Sequence, residues 1–359
     1  MIPPDATGGV RFCRDGMHSS VTKSPQVLFL ADAGPMVGGG HVMRCLTLAR
    51  ALTDLGANCQ FMAPPSVGQI MDRFGQADMG QIACDPEKVI AVSQKQSADI
   101  VVIDHYGLGR AVEATVSRGR RLVVLDDLPG RVHACDLLLD PSIGRKAQDY
   151  QSHVPEHCQV LAGPNYALVR PDFSDLRIDS LTHRASRSGH GPILVSLGLT
   201  DLFGLTAKVV EALLELGLPN PIWAVVGASA PSLDQLQALA GQNPQISVLI
   251  ESRDMAALMS QADLSIGAGG SSTWERACLG LPSLALILAD NQADQTRRMA
   301  ELGACLALDV RDDGWPEALQ AAIRGSQDDF SQWHQRGLIS STVCDGLGAA
   351  RVAEAVLAL

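Results

Sequence analysis

Aromatic residues are scarce. They make up 4% of the 359 residues while 46% are apolar, so any core is aliphatic and alanine-rich. No stretch reaches the roughly 18 consecutive apolar residues of a membrane-crossing helix. The nine cysteines include no CxxC pair and no regular spacing, which argues against a disulfide framework and for free thiols in a reducing cytosol. Basic residues are outnumbered. A net charge of −11 and a pI of about 5.2 speak against nucleic-acid and anionic-membrane partners, although one basic pocket for a phosphate is compatible with them. The first strand–helix turn has no GxGxxG, which disfavours a nicotinamide cofactor, and GxxxxGK[ST] is absent throughout. There is no short internal repeat or low-complexity tract. Residues 1–24 are polar and lack the apolar stretch of a signal peptide, so they read as a disordered extension.

What remains is an alternation. Apolar runs at 26–31, 59–63, 100–104, 122–125, 136–139 and 159–161 are each followed by helical or turn-like sequence. A polar tract at 171–191 lacks apolar periodicity and reads as a linker. A second series follows, with strand-like runs at 192–197, 221–226, 246–250, 264–266 and 283–288. The expected fold class is α/β, with two doubly wound Rossmann-like domains facing each other across a cleft, 25–170 and 192–359. The last helix is expected to cross back onto the first domain. In open α/β sheets ligands sit beyond the carboxyl ends of the strands, so the motifs at those ends carry the functional argument.

The first such motif is GGGHVMR at 38–44. Gly39 and Gly40 let the backbone approach a ligand closely, and His41 opens a helix whose N-terminus disfavours a cation and favours a proton-accepting imidazole. Arg44, one turn in, has either an anion or an acid as its partner. Two further strands end in polar clusters, Asp104-His105-Tyr106 and Asp126-Asp127; the second suits a metal or sugar hydroxyls, but two neighbours alone make a poor metal site. In the second half, Gly198, Thr200 and Asp201 follow a strand as a phosphate-facing loop. Gly270, Ser271 and Ser272 form another, and Glu275 either complements the helix dipole or holds ribose hydroxyls. HVPEH at 153–157 matches an inverted zinc-protease pattern, but Pro155 breaks the helix that pattern needs, so no metal is expected.

In their order along the chain, GGGHVMR, DHYG, LDD, CDLLLDPSIG, GPNYALVRPDF, SLGLTD and SSTWERA resemble the nucleotide-sugar enzymes of the GT-B fold. They are most similar to the UDP-2,4-diacetamido-2,4,6-trideoxy-β-L-altropyranose hydrolases of pseudaminic acid biosynthesis. The resemblance spans about 26–305. It implies a metal-independent and cofactor-independent hydrolysis of a UDP-sugar in the cleft, with inversion at the anomeric carbon. His41 would be the general base, with Asp104, His105 and Tyr106 as its catalytic neighbours and Asp126 and Asp127 beside them. Glu275 would lie on the uridine side, and Asn291 and Gln292 near the diphosphate and sugar. Leu199 and Leu30 depart from the family pattern; the former stands for a glycine, the latter for a basic residue ahead of Asp32. A monomer is expected. The rivals are a UDP-sugar glycosyltransferase on the same fold and a non-enzymatic nucleotide-sugar binder.

Overall fold

A computed structural model describes residues 24–32, 39–74, 79–128, 130–201, 203–327 and 330–359. Residues 1–23 of the extension expected at 1–24, and Gly38 of the glycine run, lie outside the described residues. The first sheet contains β1 (Gln26–Ala31), β2 (Asn58–Ala63), β3 (Gly80–Ala83), β4 (Ile100–Asp104), β5 (Arg121–Leu125), β6 (Leu137–Asp140) and β7 (Gln159–Ala162). The second contains β8 (Ile193–Ser196), β9 (Ile222–Val226), β10 (Ile246–Ile250), β11 (Leu264–Ala268), β12 (Ser283–Ile287) and β13 (Leu306–Asp309). The helices are α1 (Gly40–Asp54), α2 (Pro65–Phe74), α3 (Val89–Ser93), α4 (Arg110–Val116), α5 (Pro171–Arg184), α6 (Leu205–Leu214), α7 (Leu233–Gln242), α8 (Met255–Gln261), α9 (Ser272–Cys278), α10 (Asp290–Glu301), α11 (Trp315–Gln327), α12 (Ser331–Val343) and α13 (Gly348–Leu357).

The strand orders are β3-β2-β1-β4-β5-β6-β7 and β10-β9-β8-β11-β12-β13. Every pairing is parallel. The order therefore reverses between β1 and β4 in one sheet and between β8 and β11 in the other. A crevice opens at such a switch point because successive crossovers leave on opposite faces. The edge strands β3 and β13 went unrecognised in the sequence: each is four residues long and only half-buried or exposed, so its apolar signal is weak.

The tract at 171–191 requires a correction. Its first part is helix α5, opened by Pro171 at a position that needs no amide donor. It packs by a route that apolar periodicity does not report. Arg184 is buried and donates to the carbonyls of Met259, Ala262 and Leu279 at 2.6–2.9 Å, and Arg177 reaches those of Cys278, Ser341 and Cys344. The chain returns at its end. On α13, Val352, Ala353 and Val356 share one buried cluster with Val27 and Phe29 of β1 and Val42, Cys45 and Ala49 of α1. Among the described residues, no helix is long and apolar enough to cross a membrane.

Candidate active site

The two switch points face each other across a cleft of about 390 Å³. In the first sheet Ala31 pairs in register with Asp104, so α1, entered from β1, lays its first turn over the end of β4. Asp104 is fully buried there. One of its carboxylate oxygens meets Nδ1 of His41 and takes Nη2 of Arg44 at 2.7 Å; the other takes Nε of Arg44 at 2.5 Å. Arg44 extends the chain to Asp127 at 2.8 Å, and Asp127 accepts the Tyr106 hydroxyl at 2.6 Å. The Tyr106 ring stands edge-on to the imidazole, 4.6 Å between centroids. Two carboxylates thus absorb the guanidinium, and of the two partners foreseen for Arg44 the structure selects the acid.

Burial alone would raise the Asp104 carboxyl, but Arg44 and His41 hold it well below the usual carboxylate range. Asp127 is likewise held down by Arg44 and Tyr106 against its burial. Burial beside Asp127 pushes the Tyr106 phenol far up, so it stays protonated. An ionised Asp104 only accepts hydrogen bonds. In the neutral imidazole the proton therefore sits on Nδ1, and Nε2 is the basic nitrogen. His41, Arg44, Tyr106 and Asp127 line the cleft together with Gly39 and Gly40.

Other sequence candidates turn away. Nδ1 of His105 accepts the Gly107 amide at 2.9 Å and lies 3.6 Å from the Asp32 carboxylate; neither His105 nor Asp32 is among the cleft-lining residues. Asp126 binds Arg131 at 2.6 Å and Nε2 of His133 at 3.0 Å, while Glu113 holds the other nitrogen of His133 at 2.8 Å. This set, buried except at Arg131, braces the β5 end from behind. Burial would lower the His133 pKa, but the two carboxylates push it up to about 9, from an unfolded value near 6.5. The stabilisation is therefore complete below about pH 6.5 and lost as pH rises through 9. By linkage it is worth up to about 3 kcal/mol. The urea midpoint of wild type should exceed that of His133→Gln at pH 6, and the gap should close by pH 10. A gap that persists at pH 10 would rule out the imidazolium.

The opposite wall comes from the second sheet. Gly198 has φ 102° and Asp201 φ 37°. Asp201 spends its carboxylate on the Ser232 hydroxyl and the Thr206 amide, capping α6. Thr200 lines the cleft, as do Gly270, Ser271, Ser272, Glu275, Asn291 and Gln292. The loop after β11 lies tight on α10: a Cβ on Gly269 would stand 2.1 Å from the Thr296 hydroxyl. A Cβ on Gly40 would stand 3.7 Å from the Ser271 hydroxyl, so the two glycine loops nearly touch across the cleft. Asn291 lines the cleft from the far wall, across from Tyr106. Leu199 lines the cleft, and its carbonyl accepts the Gly227 amide at 3.0 Å. Leu30 is buried within the first sheet's core.

Among the cleft-lining residues that the sequence reading did not name as site residues, Arg170 is the cation. It caps the start of α5 at the crossover between the sheets, with its guanidinium 5.1 Å over the Phe173 ring and Nε 3.6 Å from Glu275. That nitrogen is buried without a hydrogen-bond acceptor. The VRPDF run after a strand was its only sequence signal. Among the described residues, no group of three or more His, Cys, Asp or Glu side chains is placed to hold a metal.

No protein-family model matches the chain. It is 26% identical over 280 residues to the UDP-2,4-diacetamido-2,4,6-trideoxy-β-L-altropyranose hydrolase of Campylobacter jejuni, covering 77% of this chain and 97% of that protein. The chain resembles that hydrolase. It is also 26% identical over 290 residues to the spore coat polysaccharide biosynthesis protein SpsG of Bacillus subtilis, covering 77% and 82%. Among solved structures, MurG of Acinetobacter baumannii superposes with a TM-score of 0.68 at 17% identity, covering 94% of this chain and all of that one. The fold is GT-B.

Proposed function

We propose that this GT-B chain hydrolyses a UDP-linked diacetamido-trideoxyhexose to UDP and free sugar, with inversion and with His41 as general base. The observation that carries this reading is the fully buried Asp104, which fixes the His41 tautomer at the cleft surface. Water attacks the anomeric carbon and gives its proton to Nε2 of His41, and the ionised Asp104 stabilises the resulting imidazolium. The anomeric C–O bond breaks and UDP departs with the electron pair. Backbone amides of the loop after β11 and of the α10 N-terminus face that departing charge, with Arg170 as a cleft cation not absorbed by the Asp104–Asp127 pair. Tyr106, held by Asp127, lines the catalytic wall of the cleft.

The test is turnover of purified protein with UDP-sugars in H₂¹⁸O and excess chelator. Equal yields of UDP and free sugar, with ¹⁸O in the sugar at early times and none in UDP, support hydrolysis at carbon. UDP released only when an acceptor is added supports a glycosyltransferase, and binding without turnover supports a sensor. Activity abolished by chelator and restored by one divalent metal would overturn the metal-free mechanism. Glu275 tests the nucleotide side. Glu275→Ala should weaken UDP binding by roughly 1.5–3 kcal/mol, with a smaller effect on the rate at saturation. Unchanged UDP affinity by calorimetry would leave Glu275 serving only the helix dipole and Arg170.

A further inference from the structure

Arg276 follows Glu275 on α9 but points under the glycine loop, 3% exposed. Nη2 donates to the Ala268 carbonyl at 2.9 Å and the Thr273 hydroxyl at 3.1 Å, and Nη1 donates to the Ser272 hydroxyl at 2.9 Å. Nε is buried without an acceptor. Gly267 leaves the space: a Cβ there would come within 2.5 Å of Nη1. All these acceptors are neutral; among the described residues no carboxylate forms an ion pair with Arg276, and Glu275 acts on it only through space.

A buried cation with only neutral acceptors is unfavourable unless a negative group compensates it. Burial pushes Arg276 down to about 10, which leaves it charged at neutral pH. Stitching the loop together requires donors, which a neutral amide also has; it does not require a charge. Ala268 and Ser272, which the guanidinium holds, are themselves part of the cleft surface. Because Ser272 accepts from Arg276, its own O–H is free to donate into the cleft.

We propose that Arg276 is a positioning residue for an anionic ligand, a charge beneath the loop after β11 that favours a diphosphate on the loop's outer face without touching it. This rests on the nucleoside-diphosphate reading above. Ser272 relays the effect by donating to the anion while it accepts from the guanidinium.

Calorimetric titration of wild type, Arg276→Gln and Arg276→Lys with UDP and with uridine tests it. Arg276→Gln should lower the ratio of UDP to uridine affinity about 10-fold, the scale of one partly screened charge interaction. Arg276→Lys, which keeps the charge and loses the fork, should restore most of that ratio. Equal weakening of both ligands by Arg276→Gln would reduce Arg276 to loop scaffolding and overturn the proposal. Should Arg276→Gln fail to fold, Arg276→Lys decides: a ratio close to wild type supports the charge, and a collapsed ratio refutes it. Wild type that binds neither UDP nor uridine would sink the UDP reading, and titration with inorganic pyrophosphate then settles Arg276 separately. Pyrophosphate bound by wild type and lost in Arg276→Gln supports the anion role; equal binding or none refutes it.

Discussion

Replacing His41 with alanine should lower turnover about 10²–10⁴-fold while UDP affinity stays near that of wild type. The split follows from the walls of the cleft. His41 stands on the first sheet's rim, and its one strong partner is Asp104, whereas Glu275, Asn291 and Gln292 belong to the second. Alanine preserves the start of α1, because no side chain caps that helix and the Gly39 carbonyl still accepts the Met43 amide. The variant should fold, bind UDP and fail to deprotonate water. Single-turnover rates with calorimetry of UDP separate the two effects. Near wild-type turnover in His41→Ala would remove His41 from the mechanism.

Asp104→Ala should cost both stability and activity. Among the described residues Arg44 would keep only Asp127 as a charged partner, and removing one member of a buried ion pair typically costs about 3–5 kcal/mol. Asp104→Asn keeps the volume but also removes the charge opposite Arg44, so its turnover is measured per folded molecule. The introduced amide, donating to Nδ1 of His41, would place the ring proton on Nε2 and abolish the base, lowering turnover about 10²–10⁴-fold. The pH dependence has a definite sign. The Asp104 pKa is depressed on folding, so its stabilisation is present above the unfolded value near 3.9 and is lost as pH falls towards the depressed one. The wild-type advantage over Asp104→Ala in urea should therefore hold from pH 7 to about pH 4 and shrink only at greater acidity. An advantage that disappears by pH 6 would show that Asp104 is not the ion-pair centre.

The sequence alone determined the α/β class, the two doubly wound halves and the strand-end positions of the polar motifs. Those features are written in local patterns: apolar runs of strand length, glycines at the turns, and helical spacing after His41. Tertiary structure decided which neighbour of each pair serves the cleft. Asp126 and Asp127 are chemically alike, yet one is held by Arg131 and His133 and the other by Arg44 and Tyr106. Asp104 goes to His41 and Arg44, while His105 goes to its own loop. Successive side chains of an extended strand point to opposite sides, and which side meets α1 depends on a register set by β1, far away in sequence. The helical character of 171–184 was hidden for a related reason, since arginines donating to distant carbonyls leave no periodic apolar trace. The cation beneath the second glycine loop follows the same rule. Only the fold shows that every acceptor around Arg276 is neutral, because those acceptors are gathered from a strand end and a helix start that meet in space.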